Sequence, residues 1–437
     1  DKMLFSNYRP VSVLPVFSKV LERLMYNRLF DYINENGILY KYQFGFQKGK
    51  STNMAIILLV DKISEALENG DIAIGVFLDF SKAFDTVDHE ILLKKLEIYG
   101  VRGKTKEWFS DYLSNRKQYV TYCGFKSNSK TITCGVPQGS ILGPLLFLLY
   151  INDLAAVSNE LFSILFADDS NMFIIGKDIN VLCDQMNIAL KNVQEWLFCN
   201  KLSLNVLKTH YMIFTAKRKV VDDIKLVICN TEIERAYSTK FLGVYVDSKF
   251  SWSEHVTHIC KKLSKSVAIM YKARKKLPKS SLINLYYSIC YPYFIYCNHV
   301  WGRACQKTIE PIFKIQKKML RVITSSPYRA PSLPLFVANK LLPLQDINSY
   351  MIGIFMFNVM NSDNDSIFSS YFTLNSSIHS YPTRTANDLH VPRAKTCVRI
   401  SSIKVLGAQI WNDIPNSIRD STTVATFKRN LKKHLID

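Results

Sequence analysis

A pair of adjacent acids, Asp168 and Asp169, constrains the fold of this chain more than any other feature. The sequence Phe-Ala-Asp-Asp at 166–169 lies between two apolar runs, Leu161–Leu165 and Met172–Ile175. Short apolar runs of this kind predict two buried strands joined by a tight turn, and Asp is disfavoured inside strands. Neighbouring carboxylates repel each other unless a cation neutralises them. We therefore predict a hairpin whose acidic tip lies at a divalent-metal site.

A third acid, Asp79, directly follows the apolar run Ile72–Leu78. Three carboxylates that converge from two strand ends would suit a two-metal phosphoryl-transfer site, to which the backbone carbonyl of Phe80 could add a ligand. Taken alone, Asp79 also fits the N-cap of a helix. We expect Asp85 and Asp88 to be capping or surface residues outside the metal site.

The formal net charge of +20 and the pI of about 9.4 predict a polyanionic partner, most simply nucleic acid. The stretch Ser251–Lys340 holds 16 Lys and Arg against two Glu and no Asp, a net charge of +14. Helical spacing there predicts three long basic helices, His255–Leu277, Ser280–Tyr296 and Ile309–Ile323. The candidate nucleic-acid contacts on and after the first of these are Lys261, Lys262, Arg274, Lys275 and Lys276.

Hydrophobic periodicity predicts further elements along the chain. Apolar residues at helical spacing predict helices at Val16–Ile33 and Ile179–Trp196. Strands are expected at Leu202–Asn205, Tyr211–Phe214 and Lys240–Asp247, and weak alternation over Tyr119–Thr133 predicts paired strands. The proline-containing stretch Ser325–Pro343 is typical of a connector.

The ten cysteines form no C-x-x-C pair. Cys290, Cys297 and Cys305, with His299 nearby, do not match a common zinc spacing, so we expect free thiols and a reducing compartment. We expect no signal peptide and no membrane partner, because the longest apolar stretch, Ile141–Ile151, is too short to span a bilayer.

Two loops are candidates for nucleotide binding. Glycines in Gly135–Ser140 permit a close backbone approach, which makes Gln138 and Gly139 candidate nucleotide contacts, although an ordinary turn would look the same. In the loop 42–52, Lys48 and Lys50 are candidate phosphate contacts. That loop does not match the P-loop pattern, and contact with a template backbone is the competing interpretation.

Two single residues complete the candidate site. The ring of Phe84 could occupy the space that a ribose 2′-hydroxyl would need, or it could belong to the core. Lys208 follows the long amphipathic helix and could donate a proton to departing pyrophosphate, although an isolated lysine is also common on a solvated surface.

Seven motifs in this order resemble the reverse transcriptase of LINE-type (non-LTR) retrotransposons, in particular the jockey-like branch. They are Asn-Tyr-Arg-Pro-Val-Ser-Val-Leu-Pro at 7–15, Gln-Phe-Gly-Phe at 43–46, Leu-Asp-Phe-Ser-Lys-Ala-Phe-Asp at 78–85, Gly-Val-Pro-Gln-Gly-Ser-Ile-Leu-Gly-Pro at 135–144, Phe-Ala-Asp-Asp at 166–169, Leu-Asn-Val-Leu-Lys-Thr at 204–209 and Lys-Phe-Leu-Gly-Val at 240–244. The tail is similar at Pro-Thr-Arg 382–384, at 407–415 and at 427–433.

The resemblance implies an α+β right-hand polymerase with fingers, a palm made of an antiparallel sheet plus helices, and a helical thumb. The implied boundaries are 1–70 for the fingers, 71–250 for the palm with a fingers insertion, 251–324 for the basic thumb, and 325–437 for a connector with an RNA-binding-like extension. It also implies an RNA-directed DNA polymerase that uses an RNA template, a DNA primer and deoxynucleoside triphosphates. Its cellular site would be the nucleus, at the point of insertion.

By the same resemblance, Asp79, Asp168 and Asp169 are the catalytic carboxylates. Asp79 and Asp168 would bridge two Mg²⁺ ions, with Mn²⁺ as an alternative, and Asp169 would support one ion. Phe84 is then the sugar gate, Gln138 lines the nucleotide pocket, and Lys208 is the candidate acid. Lys240, Phe241, Leu242 and Gly243 correspond to the primer grip.

The chain departs from the family pattern at Gln47, where an arginine is common, so a bidentate guanidinium is missing near the expected triphosphate. The family's upstream endonuclease is also not recognisable in this sequence. Three alternatives stay open: a group II intron-type or retron-like reverse transcriptase, an RNA-dependent RNA polymerase, and an inactive or domesticated retroelement remnant that only binds nucleic acid.

Overall fold

The computed structural model describes Leu4, Tyr8 and residues 11–217, 224–361, 367–378 and 384–437. The described residues group into two compact units. The first unit comprises 1–55, 73–213 and 219–236, and the second comprises 56–72, 214–218 and 237–437. Helices and sheets occur together, which confirms the predicted α+β class. The finer fingers, palm and thumb boundaries stay predictions.

A mixed sheet organises the first unit. In the described residues its strands are β1 (Ile72–Leu78), β6 (Phe162–Phe166), β7 (Asp169–Gly176), β8 (His210–Phe214) and β11 (Glu234–Arg235). These five strands run in the order β11-β8-β1-β7-β6. Strands β6 and β7 pair antiparallel, with Phe166 opposite Asp169, whereas β11 pairs parallel with β8. The acidic hairpin is confirmed, and β1, every residue of which is buried, lies next to β7 in the sheet.

An Asp side chain caps the start of two helices of this unit. The Asp88 carboxylate accepts the Ile91 N–H at 3.0 Å and starts one helix, which confirms the capping role expected of Asp88. Asp178 caps the long amphipathic helix in the same way. The helices are α1 (Val16–Glu35), α3 (His89–Ile98), α4 (Gly103–Leu113), α5 (Leu142–Ile151) and α6 (Ile179–Cys199).

Helix α1 forms as predicted, but of the four apolar residues whose spacing predicted it, Val16, Val20 and Leu24 are exposed and only Leu29 is buried. Glu22 is buried as well, and its carboxylate accepts the Tyr112 hydroxyl at 2.9 Å and the Ile141 N–H at 2.7 Å. The buried face of α1 therefore combines apolar side chains with a carboxylate that has two hydrogen-bond partners.

A hairpin of short strands projects between α4 and α5, and we call residues 117–131 the arm. It comprises β2 (Lys117–Gln118), β3 (Thr121–Tyr122), β4 (Phe125–Lys126) and β5 (Lys130–Thr131). Strand β2 pairs antiparallel with β5, and β3 with β4. Every residue of the arm is exposed. The strand pairing predicted for Tyr119–Thr133 is confirmed.

The second unit consists of a hairpin and many helices. A small pair, β9 (Val227–Ile228) with β10 (Thr231–Glu232), precedes it in the chain and belongs to the first unit. Strands β12 (Ser238–Phe241) and β13 (Val244–Asp247) form the hairpin. The helices are α2 (Thr52–Glu68, from residue 56 onward), α7 (Ser253–Ala273), α8 (Lys279–Leu285), α9 (Tyr291–Ile295), α10 (Asn298–Trp301), α11 (Gln306–Ile323), α12 (Ser332–Ala338), α13 (Leu344–Met360), α14 (Cys397–Ile400), α15 (Ala408–Asp413), α16 (Asn416–Arg419) and α17 (Val424–Ile436).

Several predicted elements differ in the structure. The strand Lys240–Asp247 is in fact two strands, because Leu242 and Gly243 adopt positive φ and turn the chain. The helix Ser280–Tyr296 divides into α8, a π-helical turn and α9, where Pro292 supplies no N–H. The connector Ser325–Pro343 contains α12, which tolerates prolines at its start.

One smaller prediction also changed. The expected strand Leu202–Asn205 is only a loop, in which Leu204 makes one isolated bridge to Phe80. All ten cysteines are thiols, as expected; Cys290 and Cys297 are buried and Cys305 is exposed.

In the tail, Trp411 is buried against Phe427, so it contributes to the core. Of the predicted motifs, Asn7, Arg9, Pro10, Pro382 and Thr383 lie outside the described residues. No helix within the described part of the chain has the length and apolarity required to cross a bilayer.

Candidate active site

A cavity of about 1060 Å³ in the first unit brings together seven of the ten residues predicted to act in catalysis, metal binding or nucleotide binding. Its lining includes Asp79 at the end of β1 and Asp168 in the β6–β7 turn. Both carboxylates are half-buried, so they face the cavity while remaining accessible. Further predicted site residues in its wall are Phe80, Phe84, Gln138, Gly139 and Lys208.

The segment that carries Lys208 fixes the backbone of Asp79. The Asn205 N–H donates to the Asp79 carbonyl at 2.7 Å, and the Asp79 N–H donates to the Thr209 hydroxyl at 3.4 Å. The Lys208 ammonium lies 3.6 Å from Asp79 Oδ2. The Lys208 side chain is well exposed and that of Asp79 is partly exposed, so this ion pair contributes little stability and leaves the lysine free to move. The motif at 204–209 therefore positions one acid and supplies a cation beside it.

The loop at 43–46 fixes the turn that carries Asp168. The Phe44 N–H donates to the Leu165 carbonyl at 2.7 Å. The buried Gln43 side chain accepts two backbone N–H groups through Oε1, from Gly45 at 2.9 Å and from Ala167 at 3.1 Å. Ala167 has a φ of 54°, a left-handed conformation that is uncommon outside glycine. Two motifs that are more than 100 residues apart thus form one rigid support for the acid.

Gly45 lies so close to this turn that a Cβ there would meet the Ala167 backbone nitrogen at 2.5 Å. If the chain has the primer-extension activity that the resemblance implies, Gly45→Ala should displace the turn and reduce that activity by about tenfold or more, since small misplacements of reacting groups are costly. Initial rates on a primed RNA template measure this effect. Gly49→Ala is the control for backbone strain alone, because its Cβ would meet no atom within 4 Å while its φ of +81° is one that alanine adopts only with strain. An equal loss in both variants would contradict this positioning role.

The loop Gly135–Ser140 lies against the segment that follows Asp79. The Val136 N–H donates to the Phe84 carbonyl at 2.8 Å, and the Gly135 N–H donates to the Val87 carbonyl at 2.7 Å. Gly135 has a φ of +87°, and a Cβ there would lie 2.7 Å from the Asp85 carbonyl oxygen. Only glycine fits this position without displacing the loop.

Asp85 also has a role that the sequence did not indicate. The Gln138 Nε2 donates to Asp85 Oδ1 at 2.9 Å, and both residues line the cavity. Asp85 is thus not simply a capping or surface residue, because it orients the amide that faces the cavity. The hydrogen bond between Gln138 and Asp85 joins residues 53 positions apart, so no local pattern in the sequence could predict it.

Phe84 is held by two other rings. It stacks on Phe147 of α5 at 4.2 Å between ring centroids and meets Phe46 edge-on at 6.2 Å. Phe147 is fully buried, so the Phe84 ring has a fixed position at the cavity wall. One face of the Phe84 ring therefore packs on the core while the residue also lines the cavity, and its predicted role against a ribose 2′-hydroxyl stays a prediction.

The donor atoms of the cavity suit a hard divalent cation. Carboxylates of Asp79 and Asp168, with the carbonyl of Phe80, are oxygen ligands of the kind that Mg²⁺ binds. In the described residues no group of three or more His, Cys, Asp or Glu forms a complete metal cage. Mg²⁺ at such sites typically takes one or two carboxylates plus substrate phosphates. Asp169 is exposed on β7 and is not in the described lining, so its predicted role stays a prediction.

The predicted phosphate contacts Lys48 and Lys50 are also not in the described lining of the cavity. The Lys50 ammonium donates to the carbonyls of Lys41 and Gln43, each at 2.9 Å, and burial lowers its pKa to about 8. The Gln47 amide donates to the same Gln43 carbonyl at 2.7 Å. In this structure Lys50 therefore braces the loop that supports Asp168, so an unobstructed phosphate contact would require its release.

The second unit carries a basic surface around the β12–β13 hairpin and α7. His258 contacts Tyr245 of the hairpin, and the pKa of His258 is lowered by burial and by the charges of Lys262, Lys240 and Lys261. These three lysines are exposed. Lys275 and Lys276 are exposed beyond α7, and the Arg274 guanidinium lies 4.6 Å above the Tyr271 ring.

The four residues predicted as a primer grip have different environments. Lys240 is exposed, whereas Phe241 is 3% exposed and anchors the hairpin, so its side chain is not available to a nucleic-acid strand. Leu242 and Gly243 form the turn. The Tyr296 hydroxyl donates to the Leu242 carbonyl at 2.5 Å.

Comparison with known proteins gives matches over most of the chain. The family described as "Reverse transcriptase (RNA-dependent DNA polymerase)" matches residues 2–246. "Probable RNA-directed DNA polymerase from transposon X-element" of Drosophila melanogaster is 32% identical over 326 residues, which cover 73% of this chain and 36% of that protein. "RNA-directed DNA polymerase from mobile element jockey" of the same species is 30% identical over 338 residues, covering 74% of this chain and 36% of that protein.

The chain thus spans about a third of the length of these relatives. Among solved structures, it is similar to apo telomerase from Candida tropicalis, with a TM-score of 0.39 and 11% identity. That likeness covers 78% of this chain and 58% of the telomerase chain.

Proposed function

The chain belongs to the reverse transcriptase (RNA-dependent DNA polymerase) family, and on that premise we propose that it copies RNA into DNA as the polymerase of a non-LTR retrotransposon. The observation that carries this proposal is the placement of Asp79 and Asp168 in the wall of one cavity. Other motifs of the chain hold the backbone of Asp79 and that of Ala167, the residue before Asp168.

In this proposal the protein mainly positions the reactants, as phosphoryl transfer requires. Enzymes of this family generally depend on divalent metal, and two Mg²⁺ ions bound here would activate the primer hydroxyl and neutralise the triphosphate. Asp79 and Asp168 would hold them, together with the Phe80 carbonyl. Lys208, beside Asp79, is placed to donate charge or a proton to the leaving pyrophosphate. Gln138, oriented by Asp85, would contact the nucleotide.

Phe84 would distinguish deoxyribose from ribose, because its ring is held against Phe147 and cannot withdraw from a 2′-hydroxyl. We expect Phe84→Ala to raise ribonucleotide incorporation relative to deoxyribonucleotide by about 10- to 100-fold, a difference of about 1–3 kcal/mol for a small steric change. The ratio of kcat/KM for an rNTP to kcat/KM for the matching dNTP, measured in both proteins, gives this discrimination. Phe46→Ala, which removes only the edge-on neighbour, should change this ratio much less. An unchanged ratio in Phe84→Ala would exclude the gate.

We assign the basic surface of the second unit, with Lys240, Lys261 and Lys262, to the phosphates of the template–primer hybrid. Such binding weakens steeply with salt, with a slope in log K of roughly 0.7–0.9 per phosphate contact. A flat salt response would argue against this assignment.

The same proposal places the chain in the nucleus, where a chromosomal primer end is available, and microscopy of a tagged chain tests that placement.

The test of the activity is extension of a labelled DNA primer on an RNA template by the purified chain. We expect elongation to the template end with dNTPs and Mg²⁺, and none after chelation or in Asp79→Asn. The competing function, nucleic-acid binding without catalysis, is favoured by Gln47, which donates to a loop carbonyl and supplies no guanidinium. Tight binding of the primed template without any elongation would establish that alternative.

A further inference from the structure

The arm carries large exposed aromatic side chains that the catalytic proposal leaves unused. Tyr122 is 66% exposed and Phe125 is 80% exposed, and Tyr119 and Val120 are exposed as well. Cys123 and Gly124 form the tip with positive φ. A lone hairpin has no second layer in which to bury such rings. Exposed apolar clusters of this kind usually mark a binding surface.

The charge of the arm indicates the chemistry of its partner. From residue 112 to residue 152 the sequence contains no Asp or Glu. The four cations of this stretch, Arg116, Lys117, Lys126 and Lys130, all lie on the arm or at its base. A cationic surface with exposed rings fits a polyanion that also presents flat apolar faces, which is the chemistry of unpaired nucleic acid. An acidic protein would match the charges but would not need the rings.

The strand register separates the two kinds of contact. Tyr122 pairs directly with Phe125, so both rings leave the same face at the tip of the arm. Lys126 pairs with Thr121 and shares the opposite face with Tyr119, where its ammonium lies 5.3 Å from the ring centroid. One face therefore offers two rings for stacking. The other offers a cation supported by a third ring.

The base of the arm is continuous with the candidate active site. Arg116, Gln118 and Ile132 line the same cavity as Asp79 and Asp168, and all of these residues belong to the first unit. A nucleic-acid strand that leaves the cavity along this wall would reach the arm without passing an acidic residue of the segment 112–152.

We propose that the arm is a binding site for single-stranded nucleic acid, which stacks its bases on Tyr122 and Phe125 on one face and runs along the edge of the hairpin, where the long side chains of Lys117, Lys126 and Lys130 contact its phosphates. Identifying that strand as the unpaired template entering the cavity rests on the proposed function. The binding itself does not. A stacking site has little base preference, since every base presents a π-face.

The test is fluorescence anisotropy of a labelled 20-nucleotide oligouridine RNA with the full chain. Stacking contributes about 1–3 kcal/mol per base, so we expect Tyr122→Ala/Phe125→Ala to raise Kd by roughly 10- to 100-fold. Lys126→Gln/Lys130→Gln should lower the salt slope by about 1.4, since each phosphate contact on a single strand contributes roughly 0.7. Affinity for a blunt RNA–DNA duplex should change less than twofold in both variants.

Matched controls come from the same unit. Phe198→Ala removes a ring that is 85% exposed on α6, and Lys104→Gln removes an exposed lysine of α4, and neither should affect oligouridine binding. Because the arm is exposed throughout, circular dichroism melting should be unchanged in all variants. Unchanged oligouridine binding by the arm variants, or an equal loss for the duplex, overturns the proposal. The proposal is also overturned if the arm variants change only the sedimentation coefficient, because the rings would then contact a second copy of the chain.

The readout is separable from catalysis. All binding measurements are repeated in the Asp168→Asn background, where no extension is expected and the arm effects should persist. If the chain with Asp168 intact extends no primer while the arm variants still lose oligouridine binding, the proposed function is refuted and the arm proposal is supported. If that chain extends the primer fully while the arm variants bind oligouridine normally, the arm proposal is refuted and the proposed function is supported.

Discussion

Asp168→Asn is expected to abolish extension of a DNA primer on an RNA template, with a loss of about 10³-fold or more. The substitution keeps the shape of the side chain and removes the charge that would hold a divalent cation in the cavity. Transition-state stabilisation by a bound metal amounts to several kcal/mol, and each 1.36 kcal/mol is a factor of ten in rate. Single-turnover extension of a labelled primer in excess enzyme measures the chemical step without the influence of product release.

The control for this variant is Asp184→Asn, which neutralises an exposed acid on α6 in the same unit. It should retain full activity. Asp168→Asn should bind the primed template as tightly as the unchanged chain, because Asp168 repels phosphates unless a cation is present. Activity within tenfold of the control would remove Asp168 from the catalytic site, and with it the main support for the proposed function.

The acids and the family were predictable from the sequence for a physical reason. Carboxylates that end or interrupt apolar runs, as Asp79 and Asp168 do, are costly in a strand environment, so a local pattern exposes them. Seven motifs in order then indicated the reverse transcriptase family, and the matches confirm it. The hairpin, the α+β class and the cap at Asp88 followed from equally local rules.

The parts that could not be predicted depend on contacts between distant segments. Gln43 supports Ala167 across 124 positions, and Asp85 orients Gln138 across 53. Neither pair leaves a periodic signal, so Gln43 was recognised only as part of the motif at 43–46 and Asp85 only as a capping or surface residue. The burial of Glu22 in α1 could not be predicted either, because its partners Tyr112 and Ile141 lie 90 and 119 positions away.

The same limitation hid a buried ion pair in the second unit. The Arg399 guanidinium of α14 donates to Asp61 Oδ1 of α2 at 2.8 Å, and their side chains are 6% and 2% exposed. Arg399 also lies 3.3 Å from the Ser64 hydroxyl and 3.5 Å from a Glu65 carboxylate oxygen. One turn further along α2, Glu68 accepts the Thr396 N–H at 2.8 Å. The polar face of α2 therefore depends on residues more than 300 positions away.

Arg399→Ala is expected to destabilise the second unit by about 3–5 kcal/mol, because it leaves the Asp61 carboxylate buried without its partner. Burial already raises the pKa of Asp61, and Arg399 counteracts that shift. Without the guanidinium the folded pKa rises further, so the carboxyl takes up a proton in the fold. An acid with a raised folded pKa loses stability as pH rises above its unfolded value of 3.8 through the folded value. The deficit of the variant should therefore be larger at pH 8 than at pH 5, as urea midpoints at both values would measure.

Two further variants distinguish a buried charge from a simple loss of packing. Arg393→Ala removes an exposed arginine just before the same helix and should change stability by less than about 0.5 kcal/mol. Asp61→Leu/Arg399→Met replaces both charges by apolar groups of similar volume and should recover most of the loss, since a buried ion pair is often no more stable than such a replacement. If the double variant is as unstable as Arg399→Ala, the guanidinium acts through its other hydrogen bonds, to Ser64 and the Asp61 carbonyl. A deficit independent of pH would also contradict the charge-based explanation.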